Sequence, residues 1–312
     1  MTVTKTILVT GASLVPDEAL DLVRRRGFHL RHIKNDHLDR DALAAALDGV
    51  AGYVVGGDEK ALDEHFSAAA DLEAVAWVGT DYRANIPGWR RAQQRGIAIV
   101  NTPGANATSV AEFTVLLTLS VVRPLTWVSS VDHVDRPAPG VELHGLRLGL
   151  IGAGEIGGRV ARMLGTGFGM KVAYSSPRPS PTLGGSPEFA RLSRQELLET
   201  SDVISLHRPG PLAGEDPELG WTEFKAMRDN AVVVNTAHPG LVDADALCDA
   251  IEHKGVRAAS DGVGTGESWE RLTNKFSGRF LAVPQIGYHT ADANLRAGLQ
   301  AVTKLCDVLD QR

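Results

Sequence analysis

The residues whose types and spacing carry the most chemistry are Gly152-Ala153-Gly154-Glu155-Ile156-Gly157. They follow the apolar run Leu146–Ile151 directly, and a helical pattern opens at once. Strand, tight turn and helix in that order bring free backbone N–H groups to a helix start, where they bind phosphate oxygens. Gly152 permits the turn, Gly154 lets the backbone approach a pyrophosphate, and Gly157 lets the helix pack on the strand. Glu155 and Ile156 open the helix. The bland alternative is a glycine-rich turn with no ligand. The strand, the helix and a second strand at the proper distance weigh against it, so the segment reads as a dinucleotide loop.

The second strand ends at Tyr174. About 20 residues along such a unit, an Asp or Glu usually binds the ribose 2′-hydroxyl. Here the chain reads Ser175-Ser176-Pro177-Arg178, and no acid occurs before Glu188. No carboxylate repels a 2′-phosphate, and two hydroxyls and a guanidinium are available to donate to one. NADP is expected in preference to NAD. In the alternative, the serines and Arg178 meet only water.

Elements must position these groups. Short apolar runs alternate with helical stretches, the rhythm of an α/β protein with parallel sheets. Strands are predicted at Thr6–Thr10, Phe28–Ile33, Gly52–Val55, Ala74–Val78 and Ile97–Val100, with helices over 16–26 and 40–47, the latter capped by Asp39. A long helix over 109–122 is apolar nearly all round, which predicts burial between domains or subunits, and Pro124 ends it. The stretch 132–140 reads as a surface loop. A second series has strands at Arg147–Ile151, Lys171–Tyr174, Val203–Leu206, Ala231–Asn235, Ala258–Asp261 and Phe280–Val283. Its helices fall over 155–168, 193–199, 222–228 and 243–253. A last helix, 291–310, folds back onto the first series. The fold class is two doubly wound parallel-sheet domains, Rossmann- and flavodoxin-like, with a cleft between them.

The bulk numbers agree. A chain of 312 residues suggests two domains. A net charge of −6 argues against a nucleic-acid or anionic-membrane partner. No stretch reaches the ~20 apolar residues of a membrane span, and the N-terminus does not read as a signal peptide, so a cytoplasmic protein is expected. Cys248 and Cys306 are read as reduced, partly buried thiols. His29, His32, His37, His65, His133, His144 and His253 show no metal spacing, and no metal is expected. Trp77, Trp127, Trp221 and Trp269 read as packing or interface residues.

Several segments together carry a resemblance. They are Asn101-Thr102-Pro103-Gly104-Ala105-Asn106-Ala107-Thr108-Ser109-Val110-Ala111-Glu112, the glycine loop, Ser201-Asp202-Val203-Ile204-Ser205-Leu206-His207, Asn235-Thr236-Ala237 with Gly240-Leu241-Val242-Asp243, and Pro284 through Thr290. Through them the chain resembles the D-isomer-specific 2-hydroxyacid dehydrogenase family over nearly its whole length. The resemblance implies a substrate domain of residues 1–104 plus 289–312 and a Rossmann domain of residues 105–288, with the active site in the cleft. It implies a homodimer through the cofactor domain, and hydride transfer between a nicotinamide and a small 2-oxo or 2-hydroxy acid. It places His207, Arg208, Thr236, Ala237, Asp261 and Thr108 along the cofactor. It places Gly56, Gly57, Val78, Gly79 and Asn106 by the substrate.

The chain departs from that pattern at three positions. The family's Arg, which binds the substrate carboxylate and carbonyl, follows Asn-Thr-Ala; here His238 stands there, then Pro239. The family's His, which exchanges the proton, follows the Pro that opens the last motif; here it is Gln285. The supporting Glu is expected five residues after Asp261, where Gly266 stands, and Glu267 is one beyond. His cannot copy the guanidinium fork, and Gln binds a carbonyl but is no general acid. The expectation is an NADPH-dependent reductase of a C=O, or a C=N, with Gln285 binding the acceptor. His238 either donates the proton or fills space on a backbone bond. Glu267 recovers its position if the loop 262–266 bulges by one residue. His289 lies near the cleft mouth, or is a solvated residue at a helix start. One rival reading is a cofactor-binding sensor or scaffold without catalysis. Another is an ordinary 2-oxo acid reductase with Arg83 or Arg208 as a relocated clamp.

Overall fold

A computed structural model describes residues 4–123, 125, 139–184, 186, 188–211 and 214–312. Pro124, Trp127, His133 and most of the 132–140 loop lie outside the described residues. The chain divides into two compact units, Met1–Asn106 with His289–Arg312, and Ala107–Tyr288.

The first unit holds β1 (Thr6–Thr10), α1 (Asp17–Arg25), β2 (His29–Ile33), α2 (Arg40–Ala46), β3 (Gly52–Val55), α3 (Asp63–Ala68), β4 (Ala74–Trp77), α4 (Trp89–Gln94) and β5 (Ala98–Val100). The five strands are parallel, in the order β2-β1-β3-β4-β5. This is the flavodoxin-like order. Ile7, Leu8 and Val9 are fully buried because helices cover both faces of the sheet. As the sequence predicts, Asp39 caps α2, its Oδ1 accepting from Ala42 N at 2.8 Å. The terminal helix, Ala291–Asp310, packs Ala301, Val302, Leu305 and Cys306 against Ile7 and Val9.

The second unit begins with α5 (Ala107–Val122) and continues β6 (Arg147–Ile151), α6 (Glu155–Arg162), β7 (Lys171–Ser175), β8 (Phe189–Arg191), α7 (Arg194–Thr200) and β9 (Val203–Leu206). It ends with α8 (Trp221–Ala226), β10 (Val232–Asn235), α9 (Ala244–Lys254), β11 (Arg257–Asp261), α10 (Glu267–Lys275) and β12 (Phe280–Val283); the terminal helix of the first unit is α11. The seven parallel strands run β12-β11-β10-β9-β6-β7-β8. Strand order reverses between β9 and β6, the point at which doubly wound sheets bind ligands at their carboxyl ends.

The pattern reading lacks α3, α4, α10 and β8, and one expected helix changes form. The helix expected over 155–168 keeps α geometry only to Arg162 and continues as a π turn, Met163–Gly167; Gly165 and Gly167 favour the helix weakly there. Strand β8 is an addition, too short at three residues to show periodicity. The helix α5 owes its apolar character to burial on the second unit's own core, where Ala111, Leu117, Val121 and Val122 pack with Leu148 and Val234. Leu116 on the same helix is 52% exposed. Trp269 is buried against Phe280, whereas Trp221 is 56% exposed. No helix among the described residues is long and apolar enough to cross a membrane.

Candidate functional site

The three glycines of the loop after β6 are glycines for different reasons. Gly152 has φ +95°, and a Cβ there would strike the His207 carbonyl oxygen. At Gly157 a Cβ would strike the Gly152 carbonyl oxygen, so α6 rests on the turn itself. At Gly154 nothing lies within 4 Å of the side-chain position. Gly154 starts α6 without a side-chain cap, and the N–H groups of Glu155 and Ile156 have no acceptor within the helix. Open space at a helix start with free donors fits a dinucleotide diphosphate.

The loop after β7 is stapled to this turn. Ser180 is buried and donates its hydroxyl to Ala153 O, and Thr182 Oγ1 donates to Gly154 O at 3.2 Å. Arg191, at the end of β8, grips the loop from the other side. Its Nη2 donates to Ser176 O and Pro177 O, both at 3.0 Å. Arg178 is exposed and has no side-chain partner among the described residues. Ser175 closes β7 and is partly exposed. Ser176 requires a correction. Its hydroxyl donates to Arg178 O, so its one proton shapes the loop and is not free for a ligand. Arg191, Ser180 and Thr182 escape the sequence reading because they lie beyond the motif, Arg191 on a three-residue strand and the other two in the loop before it.

At the end of β9, His207 N donates to Ile151 O at 2.8 Å, and its Nε2 lies 3.0 Å from Ser205 Oγ. Burial pushes the imidazole down to about 4, so it is neutral near pH 7. It holds the glycine turn from beneath. Arg208 is exposed but paired, its Nη1 3.3 Å from a Glu218 carboxylate that also binds Arg194.

The ends of β10, β11 and β12 are adjacent in register. Buried Asn235 builds the turn after β10. Its Oδ1 accepts from Ala237 N at 3.0 Å, and its Nδ2 donates to His238 O at 2.8 Å. Ala237 therefore spends its N–H inside the turn. Thr236 is buried, with its hydroxyl 2.8 Å from Thr114 Oγ1. Thr114 donates to Val110 O, so the Thr236 proton goes to Thr114 and is not a donor to a cofactor. His238 is exposed, and its Nδ1 accepts from Gly240 N at 3.0 Å. The neutral ring thus carries its proton on Nε2. To hold two protons it would have to give up the Gly240 bond.

Asp261 is 4% exposed. Burial pushes its carboxyl up, and bonds from Gly287 and Ile286 pull it back. Oδ1 accepts from Ile286 N at 2.7 Å and Oδ2 from Gly287 N at 2.8 Å. Asp261 thus holds the turn after β12. In that turn Gln285 has φ +45° and an exposed side chain. Gln285 Cβ lies 3.7 Å, and the Pro239 ring 3.4 Å, from the side-chain position at Gly262. The residues at 238–239, 262 and 285 therefore gather at one edge. Glu267 is exposed in the first turn of α10, and no bond joins it to His238 or Gln285 among the described residues. Thr108 lies partly exposed in the first turn of α5.

Within the first unit, the glycines at the ends of β3 and β4 have packing reasons. A Cβ at Gly56 would strike Thr10 O, at Gly57 Glu59 Oε2, and at Gly79 the Trp77 ring. Gly56 N donates to Thr10 Oγ1 at 3.2 Å, so this N–H is not free for a carboxylate as expected. Val78 is buried and Asn106 partly exposed. Glu59, missed in the sequence, is 3% exposed and accepts from Tyr53 Oη at 2.7 Å and from Thr10. Arg83 is bound at Nε to Asp81 Oδ1 at 2.8 Å. His289 is exposed before α11, its Nδ1 3.5 Å from Asn294 Nδ2.

Residues 117–277 match the family model described as D-isomer specific 2-hydroxyacid dehydrogenase, NAD binding domain. The chain belongs to that family. It is 33% identical over 284 residues to a hydroxypyruvate reductase of Thermotoga maritima, covering 88% of this chain and 89% of the relative. It is 28% identical over 287 residues to a D-3-phosphoglycerate dehydrogenase of Sus scrofa, covering 91% of this chain and 53% of that relative. The crystal structure of the TT0316 protein from Thermus thermophilus superposes with a TM-score of 0.82 at 28% identity, over 98% of this chain and 97% of that one.

Family membership brings the reaction class: a nicotinamide-dependent oxidoreductase acting on C=O or CH–OH groups. His238 and Gln285, the residues expected in place of the family's Arg and His, lie on one edge. The edge they share offers an Nε2–H donor and an amide with both donor and acceptor.

Proposed function

We propose that the protein is an NADPH-dependent reductase on the 2-hydroxyacid dehydrogenase scaffold, with a remodelled substrate pocket. The loop Ser175–Arg178 carries this reading. It lacks a carboxylate for a ribose 2′-hydroxyl, presents Arg178 without a side-chain partner among the described residues, and rests on the second guanidinium of Arg191. A 2′-phosphate would meet Arg178 and the Ser175 hydroxyl there, and the diphosphate would meet the N–H groups at Glu155 and Ile156. When bound, the nicotinamide supplies hydride. Gln285 binds the acceptor atom. His238 lies on the same edge, its Nδ1 accepting from Gly240 N. The cofactor domain joins two copies through the face of α5 that carries Leu116. Calorimetric titration with NADPH and NADH tests the reading: tight NADPH with weak NADH supports it, and equal affinities overturn the preference.

A second reading, cofactor binding without turnover, is favoured by Gln285, an amide that is no general acid, where the family pattern expects a His. The third, a 2-oxo acid reductase with a relocated clamp, is disfavoured because Arg83 is held by Asp81 and Arg208 by Glu218.

A further inference from the structure

We infer that the acceptor this site is built for is a protonated imine, and that the reaction makes an amine. The inference rests on the reductase reading above and names its substrate class.

The charge of the edge is the first argument. In the loops that leave β9, β10, β11 and β12, the only Lys or Arg is Arg208, and it is paired with Glu218. The loop after β9 also carries Glu215 and Asp216, and Asp261 lies buried at the end of β11. A substrate carboxylate finds no unpaired Lys or Arg in these loops among the described residues. A cationic acceptor meets no repulsion.

Proton supply is the second argument. Hydride addition to a C=O sends the π pair to oxygen, and the resulting alkoxide must take a proton from a positioned acid. Gln285, where the family pattern expects the proton-exchanging His, has no ionisable proton to give. His238 accepts from Gly240 N at Nδ1, which leaves only Nε2 toward a ligand. His207 is neutral and engaged with Ser205. Both Asp261 oxygens accept backbone N–H groups. Glu267 makes no bond to His238 or Gln285 among the described residues. An iminium arrives with its proton already on nitrogen. Its carbon takes hydride from the dihydronicotinamide, a C–H bond forms, and the C=N π pair goes to nitrogen. The product is a neutral amine and the nicotinamide is oxidised, so no enzyme proton is needed.

Gln285 fits this role better than a His would. Its amide oxygen accepts the iminium N–H, and its uncharged side chain adds no positive charge beside a cation. The φ of +45° and the Asp261 clamp on Ile286 and Gly287 hold the residue in place for that contact.

The test uses the wild-type protein with NADPH and two water-stable imines of different basicity, 2-methyl-1-pyrroline and 3,4-dihydroisoquinoline. Pyruvate, glyoxylate and cyclohexanone serve as carbonyl probes. Amine product is detected by mass, with kcat/KM for imines at least ~100-fold above that for carbonyls, the usual cost of lacking a positioned acid. The high-pH limb of the imine rate should move with the basicity of the imine, because the substrate brings the proton. Gln285→Leu should lose imine reduction while binding NADPH with unchanged affinity. Reduction of pyruvate, glyoxylate or cyclohexanone at equal or higher kcat/KM overturns the inference, as does a high-pH limb shared by both imines. NADPH binding with neither class reduced overturns it together with the reductase reading. Failure to bind NADPH while NADH binds overturns only the cofactor preference, and the imine comparison is then made with NADH.

Discussion

Asp261 fixes the backbone beside Gln285: Oδ1 and Oδ2 accept the N–H groups of the next two residues, Ile286 and Gly287, at 2.7 and 2.8 Å. A non-glycine residue at φ +45° costs about 1–2 kcal/mol. Such a conformation persists only where its surroundings over-determine it. Asp261→Asn keeps the shape but turns one acceptor into an NH2 that faces a backbone donor. The variant should lose about 1–3 kcal/mol of stability in urea unfolding, and turnover should fall with it while NADPH still binds. Unchanged stability would show that the clamp does not hold the turn.

Cofactor preference should reside in two arginines that differ in what they touch. Arg178 is the unpaired one and Arg191 the one bound to the loop backbone. Charge-assisted bonds contribute about 1.5–3 kcal/mol, so Arg178→Ala should weaken NADPH about 10- to 100-fold and leave NADH nearly unchanged. Arg191→Ala releases the Ser176 and Pro177 carbonyls, and should weaken both cofactors with the larger loss for NADPH. Ser175→Asp should reverse the preference. Paired calorimetric titrations decide among these outcomes.

The sequence exposed what depends on local pattern and hid what depends on contacts between elements. Gly152, Gly154 and Gly157 are legible because a strand and a helix flank them in line. The parallel α/β class could be anticipated from the alternation of runs, and Asp39 from its place before an Ala-rich stretch. Arg191 was invisible because β8 is three residues long and meets Ser176 only after β7 and β8 pair. Ser176 looked like a ligand donor because nothing in the sequence shows that its proton goes to Arg178 O. Thr236 misled for the same reason: its partner, Thr114, lies 122 residues away. His238 was left between two roles. Only the Gly240 N–H, two residues on, says which ring nitrogen holds the proton.

His207 should make the protein acid-sensitive. Its folded value is about 4, against about 6.5 for the unfolded chain. Between these values the unfolded state binds the proton and the folded state does not. Stability is therefore fully present above about pH 6.5 and is lost as pH falls toward 4. The loss is at most about 3 kcal/mol, less where water reaches the ring. His207→Gln should flatten this limb, because an amide next to Ser205 does not titrate. A wild-type Tm that stays level from pH 7 to pH 4 would contradict the burial.

Two glycines of one loop should fail in opposite ways. Gly152→Ala forces a side chain into φ +95° and against the His207 carbonyl. It should cost more than about 2 kcal/mol and lower Tm whether or not cofactor is present. Gly154→Ala meets nothing within 4 Å in the protein, and the residue's own φ of −81° suits alanine. The apoprotein should keep its Tm. The added methyl occupies the space through which the backbone approaches a diphosphate, so NADPH binding should weaken at least ~10-fold, which is about 1.4 kcal/mol. Thermal unfolding of both apoproteins, set beside their calorimetric titrations, separates the two effects. If Gly154→Ala binds NADPH as the wild type does, the diphosphate does not lie over this turn, and the cofactor loop must be sought elsewhere on the sheet edge.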